Sequence, residues 1–126
     1  MDITPLIPEG RQVIQAYGDG RFRIAGEAYE GSVLIAPRRS QLWPVVSAEQ
    51  ITLESLQPLF EAGQSLPEIL LVGAGKQGGF APFPLRKALK EKGVAVEWMD
   101  TGAACRTFNV LLSEERRVAA ALIAVS

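Results

Sequence analysis

The chain has 126 residues, 48% of them hydrophobic and 21% charged, with a formal net charge of −1. A chain of that length and composition holds a core of its own. The near-neutral charge leaves no field to draw nucleic acid or an anionic membrane. One cysteine, Cys105, and no histidine exclude an internal disulfide, a multi-cysteine metal site, and Ser-His-Asp, Cys-His or histidine–zinc chemistry.

Residues 1–10 hold Pro5 and Pro8 and read as an arm of a single domain spanning residues 1–126. They lack the basic-then-apolar order of a signal peptide, and no apolar run reaches the roughly 20 residues of a membrane span. A cytoplasmic location is expected. Residues 11–17 alternate, with Val13 and Tyr17 on one face. Gly18-Asp19-Gly20 is a turn signal, and Phe22, Ile24 and Gly26 continue with period two, so a β-hairpin is expected. Residues 32–36 form a short apolar run closed by Pro37, a buried strand. Residues 42–46 form another, confined to an edge by Pro44. Thr52 caps a helix carrying Leu53, Leu56, Leu59 and Phe60 and ending at Gly63.

Residues 68–72 (Glu-Ile-Leu-Leu-Val) predict a strand and residues 73–79 a glycine-rich loop. Pro84 opens a helix with Leu85, Ala88 and Leu89 on one face, closed by Gly93, and residues 94–99 form the next strand. This is a right-handed, parallel β-α-β unit. Asp100 or Thr101 then caps a helix with Ala104, Phe108, Leu111 and Leu112 as its buried stripe. Residues 118–125 read as a last strand, although their alanines also suit a helix. Together these elements predict an α/β (α+β) fold. It is a three-layer single domain whose mixed β-sheet carries an N-terminal β-hairpin and a C-terminal β-α-β-α-β segment.

Gly73-Ala74-Gly75-Lys76-Gln77-Gly78 matches the dinucleotide fingerprint G-x-G-x-x-G, and Glu97 lies 19 residues past Gly78 (97 − 78), near the place of a ribose-binding acid. Phosphate binding needs the helix to begin at those glycines. Pro82 and Pro84 instead push Ala81 and Phe83 toward extended backbone and delay the helix by about five residues. The P-loop pattern fails, because Gly79-Phe80 stands where Lys-Ser/Thr is required. The loop reads first as a strand exit needing positive φ and close packing. An anion or small-ligand loop is the alternative.

The richest polar stretch is residues 100–109, Asp-Thr-Gly-Ala-Ala-Cys-Arg-Thr-Phe-Asn. A helix N-terminus and Arg106 favour a reactive Cys105 thiolate, whereas the absence of a histidine base and the apolar habit of free cysteine favour a buried structural one. Arg106, Thr107 and Asn109 read either as a polar surface or as side chains tying the helix to neighbouring loops. Gly73, Gly75, Asp100 and Thr101 all lie at carboxyl ends of strands, where crevices form in open α/β sheets. The candidate cleft is therefore Gly73, Gly75, Asp100, Thr101, Cys105, Arg106, Thr107 and Asn109, serving a ligand or a partner. No catalytic residue, metal or cofactor is assigned. Arg38-Arg39 and Arg116-Arg117 read as solvated turns, and Trp43 and Trp98 as core or core edge.

Asp100-Thr101, Ala104-Cys105, Thr107-Phe108-Asn109, Leu111, Glu114, Arg116 and residues 120–123 resemble the signature of domain of unknown function 498. The Gly73-Ala74-Gly75 loop, Gly18-x-Gly20-x-Phe22 and Gly31-Ser32-Val33 are similar too. The resemblance implies a three-layer α/β domain. Its mitochondrial members are non-catalytic assembly factors for NADH:ubiquinone oxidoreductase, and this chain looks like a prokaryotic member. One position departs: where the mitochondrial form tends to have Gly between the Glu and the Arg, this chain has Glu115. The expected role is a non-catalytic assembly or protein-interaction factor whose partner is another protein, without nucleic acid or membrane insertion. The alternative is a small-ligand or nucleotide-binding domain using residues 73–79 and the cleft near Thr101 and Arg106.

Overall fold

In the computed structural model, residues 3, 11–61 and 66–126 are described. The arm at residues 1–10, apart from Ile3, and the helix stop at Gly63 lie outside them. The chain opens with a three-stranded antiparallel meander, β1 (Ile14–Gly18), β2 (Arg21–Ile24) and β3 (Glu27–Glu30). Asp19 and Gly20, both at positive φ (54° and 74°), make the first tight turn. Ala25 and Gly26, at 50° and 86°, make the second. Gly26 therefore turns the chain rather than extending β2, and a third strand follows that the period-two reading passes over. The register of β1 slips between Ile14 and Ala16, and this bulge puts Ile14 and Tyr17 in the core, with Val13 only half-buried.

The second sheet has five strands in the order β5-β4-β8-β6-β7: β4 (Val33–Ile35), β5 (Ser40–Leu42), β6 (Ile69–Gly73), β7 (Ala95–Met99) and β8 (Val118–Leu122). It is mixed, since β6 runs parallel to both β7 and β8 while β4 runs antiparallel to β5 and β8. The edge strand β5 lies at 40–42 rather than 42–46. Trp43 lies just past it, its backbone N–H still donating to the Ser32 carbonyl at 2.8 Å, and is buried, its indole N–H donating to the Ser55 carbonyl at 2.8 Å.

Alternation along the strands divides the core. Leu34, Leu70, Val72, Ala119 and Ala121 meet Leu85 and Leu89 of α1 (Phe83–Glu91) together with Leu56 and Leu59. Val33, Ile35, Leu71, Val118, Ala120 and Leu122 face the other way. They meet Ala104, Cys105, Phe108 and Leu112 of α2 (Thr101–Ser113) and Ile14, Tyr17, Phe22 and Ile24 of the meander. Three layers result, with two apolar cores on either side of one sheet. Ala119, Ala120 and Ala121 at the centre of β8 are all buried; their small side chains leave room on both faces.

Two helix expectations change in detail. The segment after Thr52 is a 3-10 helix, Glu54–Phe60, containing Pro58, which has no N–H for an i→i−4 bond. Thr52 still caps it, accepting the Ser55 N–H at 3.1 Å. Phe83 is the first residue of α1 rather than extended, so Pro84 sits in the first turn, where its missing N–H costs nothing. Arg116 forms a 2.7 Å ion pair with Glu68.

Candidate functional site

The carboxyl ends of β6, β7 and β8 meet the start of α2, and Thr101 joins them. It is fully buried. Its N–H donates to the Gly75 carbonyl at 2.8 Å. Its hydroxyl accepts the Gly75 N–H at 3.1 Å and donates to the Ile123 carbonyl at 2.7 Å. The Ile123 N–H in turn reaches the Gly73 carbonyl at 2.9 Å. A Cβ on Gly73 would stand 2.9 Å from the Thr101 Cα, so only glycine lets the first turn of α2 settle on the end of β6. Asp100 is the N-cap, its Oδ1 accepting the Ala103 N–H at 2.9 Å.

One turn on, Cys105 lies wholly inside the core. Burial pushes its thiol up to about 12; the Arg106 guanidinium opposes that rise and the Asp100 carboxylate adds to it. A thiol held protonated at neutral pH is a poor nucleophile. Arg106 is exposed, and its Nη1 donates to the Tyr17 hydroxyl at 2.9 Å. Gly102 lies beneath that bond, since a Cβ there would fall 2.7 Å from the Tyr17 oxygen. Thr107 is half-buried on α2. Asn109 is buried and holds β1 by both ends of its amide. Oδ1 accepts the Ile14 N–H at 3.0 Å, and Nδ2 donates to the Ile14 carbonyl at 2.8 Å and to the Ile3 carbonyl at 3.4 Å.

A groove of about 570 Å³ runs along the glycine loop, lined by Ser47, Glu49, Gly75, Lys76, Gln77 and Gly78 among others. Of the candidate residues it takes in Gly75. Thr101 is sealed beneath the loop, and Arg106 opens beside Tyr17. The loop lacks what a pyrophosphate requires: the Gly75 N–H is already bonded to Thr101, and α1 begins at Phe83, five residues past Gly78 (83 − 78).

Sequence reasoning passed over the Tyr17 hydroxyl as the partner of Arg106, because a core-facing strand aromatic gives no hint of where its hydroxyl ends. It also passed over Phe80 and Phe83, which are 91% and 64% exposed. The available signal was two phenylalanines among prolines, off any apolar period.

A five-stranded mixed sheet between two helical layers, with its polar motif spent on joining strands, defines a small α/β domain of the three-layer type. The chain belongs to the family described as "Protein of unknown function (DUF498/DUF598)", which it matches over residues 14–123. It is 42% identical over 110 residues to NADH dehydrogenase [ubiquinone] 1 alpha subcomplex assembly factor 3 of Xenopus tropicalis, covering 87% of this chain and 60% of that protein. An uncharacterized protein of Rhodobacter capsulatus is 40% identical over 114 residues, 90% of this chain and 86% of its own length. The crystal structure of a protein described as an outer membrane protein of Bartonella henselae superposes with a TM-score of 0.84 at 40% identity, covering 94% of this chain and 98% of that one. A Bordetella pertussis structure described as a Mth938-like domain gives 0.78 at 31% identity, covering 98% and 92%. Among the described residues, no helix is long and apolar enough to cross a membrane.

Proposed function

We propose that this chain is a non-catalytic assembly factor, a domain that holds another protein during the building of a complex. The observation that carries the reading is its identity to relatives that are complex I assembly factors, at 42% over 87% of this chain for the frog protein. The chemistry of the polar motif at residues 100–109 is in keeping with it. Thr101, Asn109 and Asp100 are each engaged in holding the fold, and Cys105 is buried and protonated. The partner under this reading is a subunit of a respiratory NADH dehydrogenase.

The test is purification of the tagged full chain from its own host at native expression. A stoichiometric subunit of that enzyme, lost when the enzyme's genes are deleted, is the expected result. A chain that purifies alone under gentle extraction sinks the reading. Thermal melting with millimolar NAD, NADP or FAD tests the nucleotide alternative, which predicts a rise of several degrees.

A further inference from the structure

The two edges of the five-stranded sheet differ. β5 has three residues, and Pro44 follows shortly after it. β7 has five residues, without proline or bulge, and among the described residues pairs with β6 alone. The Ala95 N–H donates to the Glu68 carbonyl at 3.0 Å and the Met99 carbonyl accepts the Ala74 N–H at 2.8 Å. Bonding in a parallel ladder alternates along each strand. Ala95, Glu97 and Met99 therefore bond inward, and Val96 and Trp98 turn their N–H and C=O groups to the outside. Proteins commonly blunt such an edge with lysine, proline or a bulge. Here a single charge, Glu97, does so.

Beside this edge a groove of about 430 Å³ lies between α1 and β7, lined by Arg86, Lys90, Val94 and Val96. The exposed flank of α1 carries Arg86, Lys87 and Lys90 against Glu91 alone. Exposed Phe80 follows Gly79, where a Cβ would lie 3.9 Å from the Trp98 indole nitrogen. The Phe83 ring holds the Arg86 guanidinium 5.9 Å away.

Resting on the interaction reading above, we propose that β7 accepts an extended acidic segment of a partner protein as a sixth strand. Its alternate carboxylates meet Arg86 and Lys90, and an apolar residue seats against Phe80 and Phe83. Its other face must be uncharged, because there it meets Ala95 and Glu97. A second copy of this chain fits the edge poorly. Antiparallel pairing of two β7 strands in full overlap sets Glu97 opposite Glu97 at a non-hydrogen-bonded position, where side chains come closest, and brings two basic α1 flanks together.

The probe is a capped peptide of about nine residues alternating Glu and Val, with Leu in place of the Glu at each end, titrated into the 15N-labelled full chain beside its Lys-for-Glu counterpart. The acidic peptide is expected to shift the amides of Val96 and Trp98 with a Kd of about 1 mM or tighter. Val96→Pro, which removes an outward N–H and leaves the ladder to β6 intact, is expected to abolish those shifts without a large fall in melting temperature. Arg86→Glu with Lys90→Glu is expected to reverse the preference toward the basic peptide. Equal affinity for both peptides, shifts confined to the loop at 76–78, or none at all overturns the proposal. So does a concentration-dependent dimer that Val96→Pro dissolves. A partner that co-purifies equally with wild type and both edge variants sinks this surface while leaving the interaction reading intact. A wild type that purifies alone sinks that reading, and the titration still decides the edge.

Discussion

Glu115 stands at φ 59°, the left-handed region that disfavours any residue with a Cβ. Its position explains why the chain turns there. α2 ends with the Arg116 N–H reaching the Leu111 carbonyl and the Glu115 N–H the Leu112 carbonyl, both at 3.0 Å, a closure that places glycine best at the left-handed residue. Glu115→Gly is expected to raise stability by about 0.5–1 kcal/mol, the strain relieved less the entropy that glycine adds to the unfolded chain. A higher urea midpoint at unchanged slope checks it. At Cys105 the sign runs with pH. The folded chain keeps the thiol protonated to about 12, whereas the ordinary value is 9.0. Between those values the unfolded state releases a proton that the folded state retains, so stability falls as pH rises. Between pH about 9.5 and 10.5, wild type is expected to lose roughly 1 kcal/mol relative to Cys105→Ala. Parallel pH curves for the two proteins would show that the thiol titrates alike in both states.

Between elements, Asn109 is a buried polar tie. One amide pairs with both backbone groups of Ile14 and thereby fixes β1 against α2. Asn109→Leu leaves a buried N–H and C=O without partners, which costs about 2–4 kcal/mol in all. Urea unfolding measures it, and a loss under 0.5 kcal/mol would mean that Ile14 finds water or that β1 shifts. The sequence left Asn109 open between a polar surface and a tie from the helix to a neighbouring segment, and it did not point to Ile14, because a bond across 95 residues leaves no local trace. Local chemistry was legible where it is local: the Asp100 cap, the Thr52 cap, the Asp19-Gly20 turn and the β-α-β unit all follow from neighbouring residues. Three strand misreadings share one cause. Ala25-Gly26 as a turn, the slip after Ile14 and the early edge strand at 40–42 are settled by the register each strand takes against its neighbour, and apolar alternation reads through all three.

At the scale of the whole molecule, the two sheets are unequal in support. β8 lies between β4 and β6, is buried throughout and is covered on both faces. β3 pairs with β2 and exposes most of its residues. The meeting of strand ends was legible, and the structure brings Gly73, Gly75 and Thr101 together there, with Thr101 buried in the junction rather than lining a cleft. The direction of Arg106 was not legible, because it depends on where the meander carries Tyr17. The meander meets the main domain at α2, at β5 and at Val125, and its outer strand β3 is mostly exposed, so it is expected to open more readily than the five-stranded sheet. Native-state hydrogen exchange is expected to find the amides of Ala120 and Ala121 opening only with global unfolding. The bonded amides of β3 are expected to open at a free energy lower by roughly 2 kcal/mol or more. Equal protection would make the chain one cooperative unit, with the Asn109 tie as strong as the sheet itself. A gradient would leave the rigid five-stranded sheet to present β7 in fixed geometry, and an edge that adds a strand needs that rigidity, because each outward N–H must meet its acceptor without reordering the strand that carries it.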